Sequence, residues 1–283
     1  MIRLENVSYT YNRGRPDESN ALSDISLEIP DGSITAVIGH TGSGKSTLIQ
    51  LLNGLEKPDT GRIFVNGIEV TSKNCDLRAL RFKVGMVFQY PEQQLFEETV
   101  KRDIAFGPIN MGLEMPEVVR RVQRAAEIVG LSARELKKSP FELSGGQKRR
   151  AAIAGVLAME PEIIIMDEPA AGLDPAGKDA ILELIKKLRE SRPDITIIFV
   201  SHSMEDVAKT ADNAVVMNNG GVAMTGSIAE VFSRGAELRE MGLDIPQAAE
   251  LCIRLRESGI ELPENIYTVE DAVNSLKRVL ADV

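Results

Sequence analysis

A glycine-rich loop at residues 39–47 constrains this chain most, because it reads Gly-His-Thr-Gly-Ser-Gly-Lys-Ser-Thr. Glycine, four further residues, glycine, lysine and a hydroxyl residue form the pattern of a phosphate-binding loop. An apolar stretch at residues 34–38 precedes it, and apolar residues at helical spacing follow it as far as Gly54. This order of strand, loop and helix aims backbone N–H groups and a helix N-terminus at an anion. We expect a nucleotide's phosphates to contact Gly39, His40, Thr41, Gly42, Ser43, Gly44, Lys45, Ser46 and Thr47.

Two side chains of this loop have predicted chemical roles. Lys45 would reach the β- and γ-phosphates, and Ser46 would place its hydroxyl on the Mg²⁺ that neutralises them. The loop alone fits a kinase, a GTPase or an ATPase equally well, so other parts of the chain must distinguish them.

The composition narrows the class of protein. With 283 residues, 43% of them hydrophobic, the chain can bury the core of one large or two modest domains. No apolar run approaches the roughly 20 residues that span a bilayer, and the N-terminus lacks the pattern of a secretory signal. The two cysteines, Cys75 and Cys252, are typical of a reducing cytosol, so we expect a cytoplasmic location. The net charge of −9 argues against nucleic acid as a partner, and two histidines exclude a histidine-rich metal site.

Polar residues follow three further apolar stretches that we predict to be strands. Gln89 follows residues 84–88, Asp167 and Glu168 follow residues 163–166, and His202 comes just after residues 195–200. The carboxyl ends of parallel strands meet at one edge of an α/β sheet, where ligands bind. We predict that Asp167 holds Mg²⁺ indirectly, that Glu168 orients the attacking water, and that His202 is functional rather than structural.

The sequence Leu-Ser-Gly-Gly-Gln at residues 143–147 stands at the start of an alanine-rich helix. Ser144 and Gln147 have the spacing of a capping box, which is the structural interpretation. Two glycines in the first turn weaken a helix by about 1 kcal/mol each relative to alanine, so we expect Gly145 and Gly146 to serve another purpose. Bare backbone at a helix N-terminus binds anions. Two chains placed head to tail would each cover the other's γ-phosphate with this turn.

Two single residues keep two interpretations each. Tyr11 ends the first of the N-terminal strands, which we expect to form an antiparallel edge, and it either stacks on a nucleotide base or is a half-buried strand residue. Asp174 either caps the helix predicted over residues 178–190 or lies at an interface.

The tail from about residue 243 is predicted to hold two helices. Pro246 opens the first, and Thr268 caps the second, whose apolar stripe must pack on the main body or on a partner chain. The stripe consists of Val269, Ala272, Val273, Leu276, Val279 and Leu280.

Over residues 1 to about 235 the chain resembles the nucleotide-binding subunit of an ABC ATPase. The resemblance rests on the Walker A loop, Gln89, the LSGGQ sequence, the Walker B strand that ends in Asp167 and Glu168, and His202. It implies an α/β P-loop NTPase fold. Its parts would be a RecA-like parallel-sheet core, an N-terminal antiparallel β subdomain, an inserted α-helical subdomain and a small C-terminal helical extension.

The same resemblance implies a head-to-tail dimer in which two ATP molecules lie between one chain's Walker A loop and the other's LSGGQ sequence. It assigns Tyr11 to the base and Asp174 to a link between the chains. The implied catalytic residues are Glu168, His202, Gln89 and Lys45. The implied Mg²⁺ residues are Ser46, Gln89 and Asp167, with Gln89 also sensing a membrane partner.

Residues 88–100 and 103–108, together with the helical tail, are similar to the energy-coupling factor (ECF) transporter ATPases, and more to the second ATPase of the usual pair. This narrower resemblance implies import of a vitamin or a transition-metal ion. The partners would be a second ATPase chain, identical or related, a transmembrane coupling subunit and a substrate-binding membrane subunit. The expected location is peripheral, on the cytoplasmic face of the membrane. The open alternatives are another class of ABC transporter and a soluble ABC ATPase without a transport role.

We predict an ABC ATPase domain over residues 1–240, with a helical subdomain inserted at about 91–157, and a C-terminal helical extension over residues 241–283. Residues 93–100 mix apolar Leu95, Phe96 and Val100 with acidic Glu97 and Glu98. This mixture predicts a groove for a helix of the membrane partner, although an ordinary amphipathic helix start has the same pattern.

Overall fold

The computed structural model describes residues 1–263 and 265–281, with side chains as far as residue 279. In chain order the strands are β1 (Ile2–Tyr11), β2 (Ser19–Ile29), β3 (Ile34–Gly39), β4 (Thr60–Val65), β5 (Ile68–Glu69), β6 (Val84–Val87), β7 (Ile163–Asp167), β8 (Thr196–Val200), β9 (Asn213–Asn218) and β10 (Gly221–Ser227). The α-helices are α1 (Lys45–Leu52), α2 (Leu77–Lys83), α3 (Val100–Asn110), α4 (Met115–Ile128), α5 (Gly145–Leu157), α6 (Pro175–Ser191), α7 (Met204–Thr210), α8 (Ile228–Ser233), α9 (Gly235–Glu240), α10 (Gln247–Glu257) and α11 (Val269–Ala281).

The central sheet has the strand order β10-β9-β3-β8-β7-β6. Its strands pair in parallel except for β10, which lies antiparallel at one edge. Every residue of β3, β6 and β8 is buried, because helices and a second sheet cover both faces. The predicted parallel core is therefore confirmed, and the carboxyl ends of β3, β6, β7 and β8 meet at one edge.

The N-terminal strands form the expected separate antiparallel sheet, in the order β2-β1-β4-β5. Asn66 and Gly67 make the predicted turn between β4 and β5, with φ angles of 48° and 77°. One buried face of this sheet packs with α1 and with one face of the central sheet in a single apolar cluster. The helix that follows the glycine-rich loop is thus held between two sheets.

Helices α3, α4 and α5 occupy the chain between β6 and β7, as the sequence predicts. The apolar stripe of α4 is buried at Val118, Val122, Ala125 and Ala126, and Gly130 follows the helix with a φ of 69°. These helices share an apolar cluster with α6 and with the second face of the central sheet.

The C-terminal helices pack partly on each other and partly on the main body. Ala272 of α11 and Cys252 of α10 belong to one small buried cluster, and Leu276 and Val279 pack against it. On the other side, Ala249 of α10 belongs to the main core. Val269 and Val273 are 68% and 42% exposed in the single chain, so they do not pack on the main body, and their packing on a partner chain stays a prediction. The side chain of Leu280 lies outside the described residues, and the division at residue 240 stays a prediction.

Two expectations need correction. The helix predicted over residues 178–190 begins earlier, at Pro175, because the Asp174 carboxylate accepts a hydrogen bond from the Gly177 N–H at 2.7 Å and caps it there. Val100 was expected in an exposed groove, but it is the first residue of α3 and is fully buried. Among the described residues, no helix combines the length and the apolar character needed to cross a bilayer.

Candidate active site

The glycine-rich loop joins β3 to α1 in a backbone shape that only glycine adopts easily. Gly42 and Gly44 have φ angles of 81° and 100°. A Cβ on Gly44 would lie 2.6 Å from the carbonyl oxygen of Ala21, and one on Gly39 would lie 2.3 Å from that of Met217. The loop is therefore pressed against its own chain on one side, which explains two of its glycines without any ligand.

The Lys45 ammonium lies inside this loop. Its Nζ donates hydrogen bonds to the carbonyl oxygens of Gly39 and His40, both at 2.8 Å, and the residue is only 6% exposed. Burial lowers the pKa of Lys45, while the carboxylates of Glu168 and Asp167 oppose that change. The loop therefore holds a buried cation that the charges of Glu168 and Asp167 stabilise.

Some polar side chains in and beside the loop have hydrogen-bond partners and one does not. Ser43 has a buried Oγ without a hydrogen-bond partner among the described residues, whereas the rings of His40 and Tyr11 are engaged. Nε2 of His40 lies 3.2 Å from Oδ1 of Asn218, and the Tyr11 hydroxyl lies 3.1 Å from Oγ1 of Thr47. The Tyr11 ring also meets Tyr9 edge-on, with centroids 4.8 Å apart. Both interpretations of Tyr11 remain open, because this half-buried ring stands beside the loop.

The two acids after β7 have different surroundings. The Ser46 hydroxyl lies close enough to the Asp167 carboxyl to act against a rise in its pKa. Burial raises the pKa of Asp167, and the neighbouring Glu168 carboxylate raises it further, against the opposing effects of Ser46 and Lys45. A hydroxyl beside a partly buried carboxylate forms an oxygen donor set that suits Mg²⁺, whose charge would offset the repulsion between the acids. Ser46 and Asp167 therefore fit the predicted ion.

Glu168 stands at the centre of three strand-end residues that the sequence placed far apart. Its Oε2 accepts a hydrogen bond from the Gln89 side-chain amide at 3.0 Å, and its Oε1 lies 2.7 Å from Nε2 of His202. The backbone of Glu168 has a φ of 47°, a left-handed conformation that is strained for a residue other than glycine. The predicted convergence of Gln89, Glu168 and His202 at one sheet edge is confirmed.

The LSGGQ turn forms the predicted capping box at the start of α5. The Ser144 hydroxyl accepts from the Gln147 N–H, and the Gln147 side chain accepts from the Ser144 N–H at 2.9 Å. A Cβ on Gly145 or Gly146 would meet no atom within 4 Å. In the described part of the chain, no hydrogen bond or ion pair joins this turn to the Walker A loop. The structure therefore gives no reason within one chain for these two glycines.

Sequence reasoning missed Arg149, which lies two residues after Gln147 and is only 2% exposed. The signal was present, because Arg149, Ile153 and Leu157 follow at intervals of four along α5 and are all buried. A charged residue at the first position of a buried helical stripe indicates a specific partner inside the protein.

The fold and this edge define an ATP-hydrolysing cassette of the ABC type. The family model described as ABC transporter matches residues 22–171. The ATP-binding cassette MJ0796, in a dimeric post-hydrolysis state bound to ADP and Pi, matches with a TM-score of 0.71 and 29% identity over 81% of this chain and 99% of that one. The structure of cbiO1 from Clostridium perfringens, part of the ABC transporter complex cbiONQ, matches with a TM-score of 0.75 and 38% identity over 89% of this chain and 98% of that one.

Two relatives named energy-coupling factor transporter ATP-binding protein EcfA2 narrow the group. The protein of Clostridioides difficile is 54% identical, covering 99% of this chain and 97% of its own length. That of Caldanaerobacter subterraneus is 53% identical with the same coverage. The chain therefore belongs to the ABC transporter ATPases, among the ATP-binding proteins of ECF transporters. The predicted narrower resemblance is confirmed.

Proposed function

We propose that the chain hydrolyses ATP to drive an ECF-type importer of a vitamin or a transition-metal ion. The observation that carries the proposal is the convergence of Gln89 and His202 on the Glu168 carboxylate beside the Walker A loop. The subunit would act on the cytoplasmic face of the membrane, bound to a coupling subunit and a substrate-binding subunit.

Three residues of the edge would hold the phosphates and the ion. The Lys45 ammonium would exchange its hydrogen bonds to two loop carbonyl oxygens for hydrogen bonds to phosphate oxygens. The exchange would leave it with hydrogen-bond acceptors in both states. Ser46 and Gln89 would bind Mg²⁺, with Asp167 supporting Ser46. When bound, Mg²⁺ neutralises phosphate charge and stabilises the charge that develops during phosphoryl transfer.

Glu168 would orient and polarise the attacking water. Its two oxygens are engaged by Gln89 and His202, so the position of the carboxylate is fixed from both sides. His202, which is half exposed, would stabilise the γ-phosphate as its charge shifts. This geometry gives one chain the catalytic residues, but it leaves the γ-phosphate uncovered.

We infer that a second chain, identical or related, supplies the cover with Ser144, Gly145, Gly146 and Gln147. The open space around both glycines supports this, because bare backbone is useful only to a group that comes close from outside the chain. Asp174 would link the two chains from its exposed position at the start of α6. Tyr11 would stack on the adenine.

A membrane partner would bind at residues 93–99. Phe96 and Phe106 are 61% and 46% exposed and pack edge to face with centroids 5.0 Å apart. Asp103 shapes this segment by accepting hydrogen bonds from the Phe96 and Glu97 N–H groups, both at 3.2 Å. The exposed aromatic pair beside Glu97 and Glu98 suits a partner helix that carries apolar and basic residues.

The test is to purify the tagged chain from solubilised membranes and to identify what accompanies it. We expect an integral membrane protein and ATPase activity in the same complex. Ribosomes or DNA in its place would support the soluble alternative and contradict the proposal.

The location of the membrane contact has a test of its own. We expect Glu97→Lys combined with Glu98→Lys to reduce recovery of the membrane protein. The matched control is Glu183→Lys with Glu190→Lys on the exposed face of α6, which should recover wild-type amounts. Equal recovery with both pairs would exclude residues 93–99 as the binding segment.

A further inference from the structure

The Arg149 guanidinium joins three segments that otherwise belong to different parts of the site. It projects from α5, the helix that begins with the LSGGQ turn. Its Nε and Nη2 donate to the two carboxylate oxygens of Glu92 at 3.0 and 2.8 Å. Its Nη1 donates to the carbonyl oxygens of Pro169 and Ala171 at 3.2 and 2.6 Å. One buried side chain therefore makes four hydrogen bonds outside its own helix.

Each partner of Arg149 is close in sequence to a residue of the predicted chemistry. Glu92 lies in the short 3₁₀ helix Pro91–Gln94, three residues after Gln89, and Tyr90 between them lies under the guanidinium at 5.8 Å. Pro169 directly follows Glu168, and the Ala171 N–H donates to the Glu168 carbonyl oxygen at 3.0 Å. Tyr90 and Glu168 both have left-handed backbones, with φ angles of 56° and 47°. These strained turns need surrounding contacts to hold them.

Burial and hydrogen-bond geometry both stabilise the Arg149–Glu92 ion pair. Arg149 is 2% exposed and the Glu92 side chain is 22% exposed, so solvent screens their attraction little. Burial would raise the pKa of Glu92, but the hydrogen bonds and the charge of Arg149 outweigh it and lower that pKa. Two parallel hydrogen bonds also fix the relative orientation of the two planar groups.

We propose that Arg149 is a positioning residue that transmits movement of the LSGGQ helix to Gln89 and Glu168. The inference rests on the proposed function. In a head-to-tail dimer the LSGGQ turn contacts the ATP held by the other chain, while Gln89 and Glu168 act on the ATP held by their own. Arg149 would therefore connect the two ATP sites through a single guanidinium, without contacting either nucleotide.

The test compares Arg149→Met, Arg149→Lys and Glu92→Gln in the complete complex purified with its membrane partners. We expect kcat for ATP to fall on the order of tenfold to a hundredfold, because small displacements of catalytic groups have effects of this size. KM and the Kd for ATP should stay within about twofold, since the Walker A loop keeps its contacts. Lysine retains the charge but has one nitrogen for four hydrogen bonds, so Arg149→Lys should not restore kcat.

Arg121→Met is the matched control for loss of a buried arginine. Arg121 is 15% exposed, pairs with Glu117 and Glu160 and donates to the Met159 carbonyl oxygen, so all its partners lie within or beside the helices between β6 and β7. Melting temperatures show how far each variant is destabilised. We expect Arg121→Met to lower the melting temperature while keeping kcat within about threefold of wild type.

Two results would overturn the inference. One is a kcat for Arg149→Met and Glu92→Gln no lower than that of Arg121→Met. The other is a double variant, Arg149→Met with Glu92→Gln, whose loss is the product of the two single losses, because residues acting through one contact are not additive. An inactive wild-type complex would instead contradict the proposed function, and this inference would fall with it.

Discussion

The Walker A loop and the LSGGQ turn are both glycine-rich helix starts, yet the chain explains only one of them. Gly39 and Gly44 of the Walker A loop face their own protein, and side chains there would collide with the carbonyl oxygens of Met217 and Ala21, whereas a Cβ on Gly42 would meet no atom within 4 Å. Gly145 and Gly146 face open space. Contacts within the fold explain glycines of the Walker A loop, whereas those of the LSGGQ turn suit a group that comes from outside the single chain.

The difference indicates how work is divided in an ABC ATPase dimer. Lys45, Ser46, Asp167 and Glu168 are already in contact with their neighbours at one sheet edge. The LSGGQ turn is held by its capping box, and a Cβ on either of its glycines would meet no atom within 4 Å. A preformed site and a preformed cover can then meet as rigid surfaces, with little ordering needed when they close.

The largest effect is expected from a substitution that removes the catalytic carboxylate and leaves both glycine-rich turns unchanged. Glu168→Gln should retain ATP binding, lower turnover by about 10²-fold or more, and trap the ATP-bound dimer closed. Turnover and size-exclusion chromatography with ATP measure the two effects. Glu162→Gln, at the other end of the same strand, is the control and should behave as wild type. Wild-type turnover in Glu168→Gln would show that another group orients the water.

The next prediction tests the difference between the two turns with the same glycine-to-alanine substitution in each. Gly44→Ala should cost at least about 2 kcal/mol of stability and weaken ATP binding, because its left-handed backbone and the Ala21 carbonyl oxygen leave no room for a Cβ. Gly146→Ala should leave ATP binding by the single chain unchanged and stabilise it by up to about 1 kcal/mol, since alanine favours the helix. Its turnover should nevertheless fall.

Thermal unfolding, ATP titration and turnover separate the two variants. If Gly146→Ala turned over ATP at the wild-type rate, the open surface of the LSGGQ turn would have no part in covering the phosphate. If Gly44→Ala kept wild-type stability, the fold would not be what shapes the Walker A loop.

A bulkier change at the same turn tests the cover alone. Ser144→Arg should abolish turnover while the nucleotide affinity of the single chain stays nearly intact, because a long side chain would occupy the space between two chains. Ser144→Ala is its control, and loss of the cap should cost about 1 kcal/mol of stability without blocking that space. Normal activity of Ser144→Arg would refute closure by a second chain.

Much of this arrangement was predictable because its signals are local. A buried strand reads as an apolar run and a helix start as a cap, and parallel strands bring their ends together, so Gln89, Glu168 and His202 were expected at one edge. Arg149 was not predicted, because its three partner residues lie on two distant segments of the chain. Nor was the burial of Val100, which depends on how α3 packs rather than on its neighbours in sequence.

The smallest effect is expected at Asp167, beside the Walker A loop. It tests whether this carboxylate lowers the stability of the folded chain in favour of ligand binding, as we expect of the two glycines in the LSGGQ turn. The pKa of Asp167 is raised in the folded chain by burial and by Glu168, so the folded state binds this proton more tightly than the unfolded state does. Its contribution to the free energy of unfolding therefore falls as pH rises from the unfolded to the folded pKa, and stays low above that interval.

Asp167→Asn should remove this cost while keeping a side-chain oxygen near the Ser46 hydroxyl. We expect the variant to be more stable than wild type at neutral pH by on the order of 1 kcal/mol without nucleotide, with an advantage that shrinks as pH is lowered. Asp179→Asn, at an exposed position on α6, should differ from wild type by less than about 0.5 kcal/mol at every pH. Denaturant unfolding across pH measures both variants. A neutral-pH stability of Asp167→Asn below that of wild type would mean that the carboxylate stabilises the fold, and that only the LSGGQ turn is held in a less stable form for its ligand.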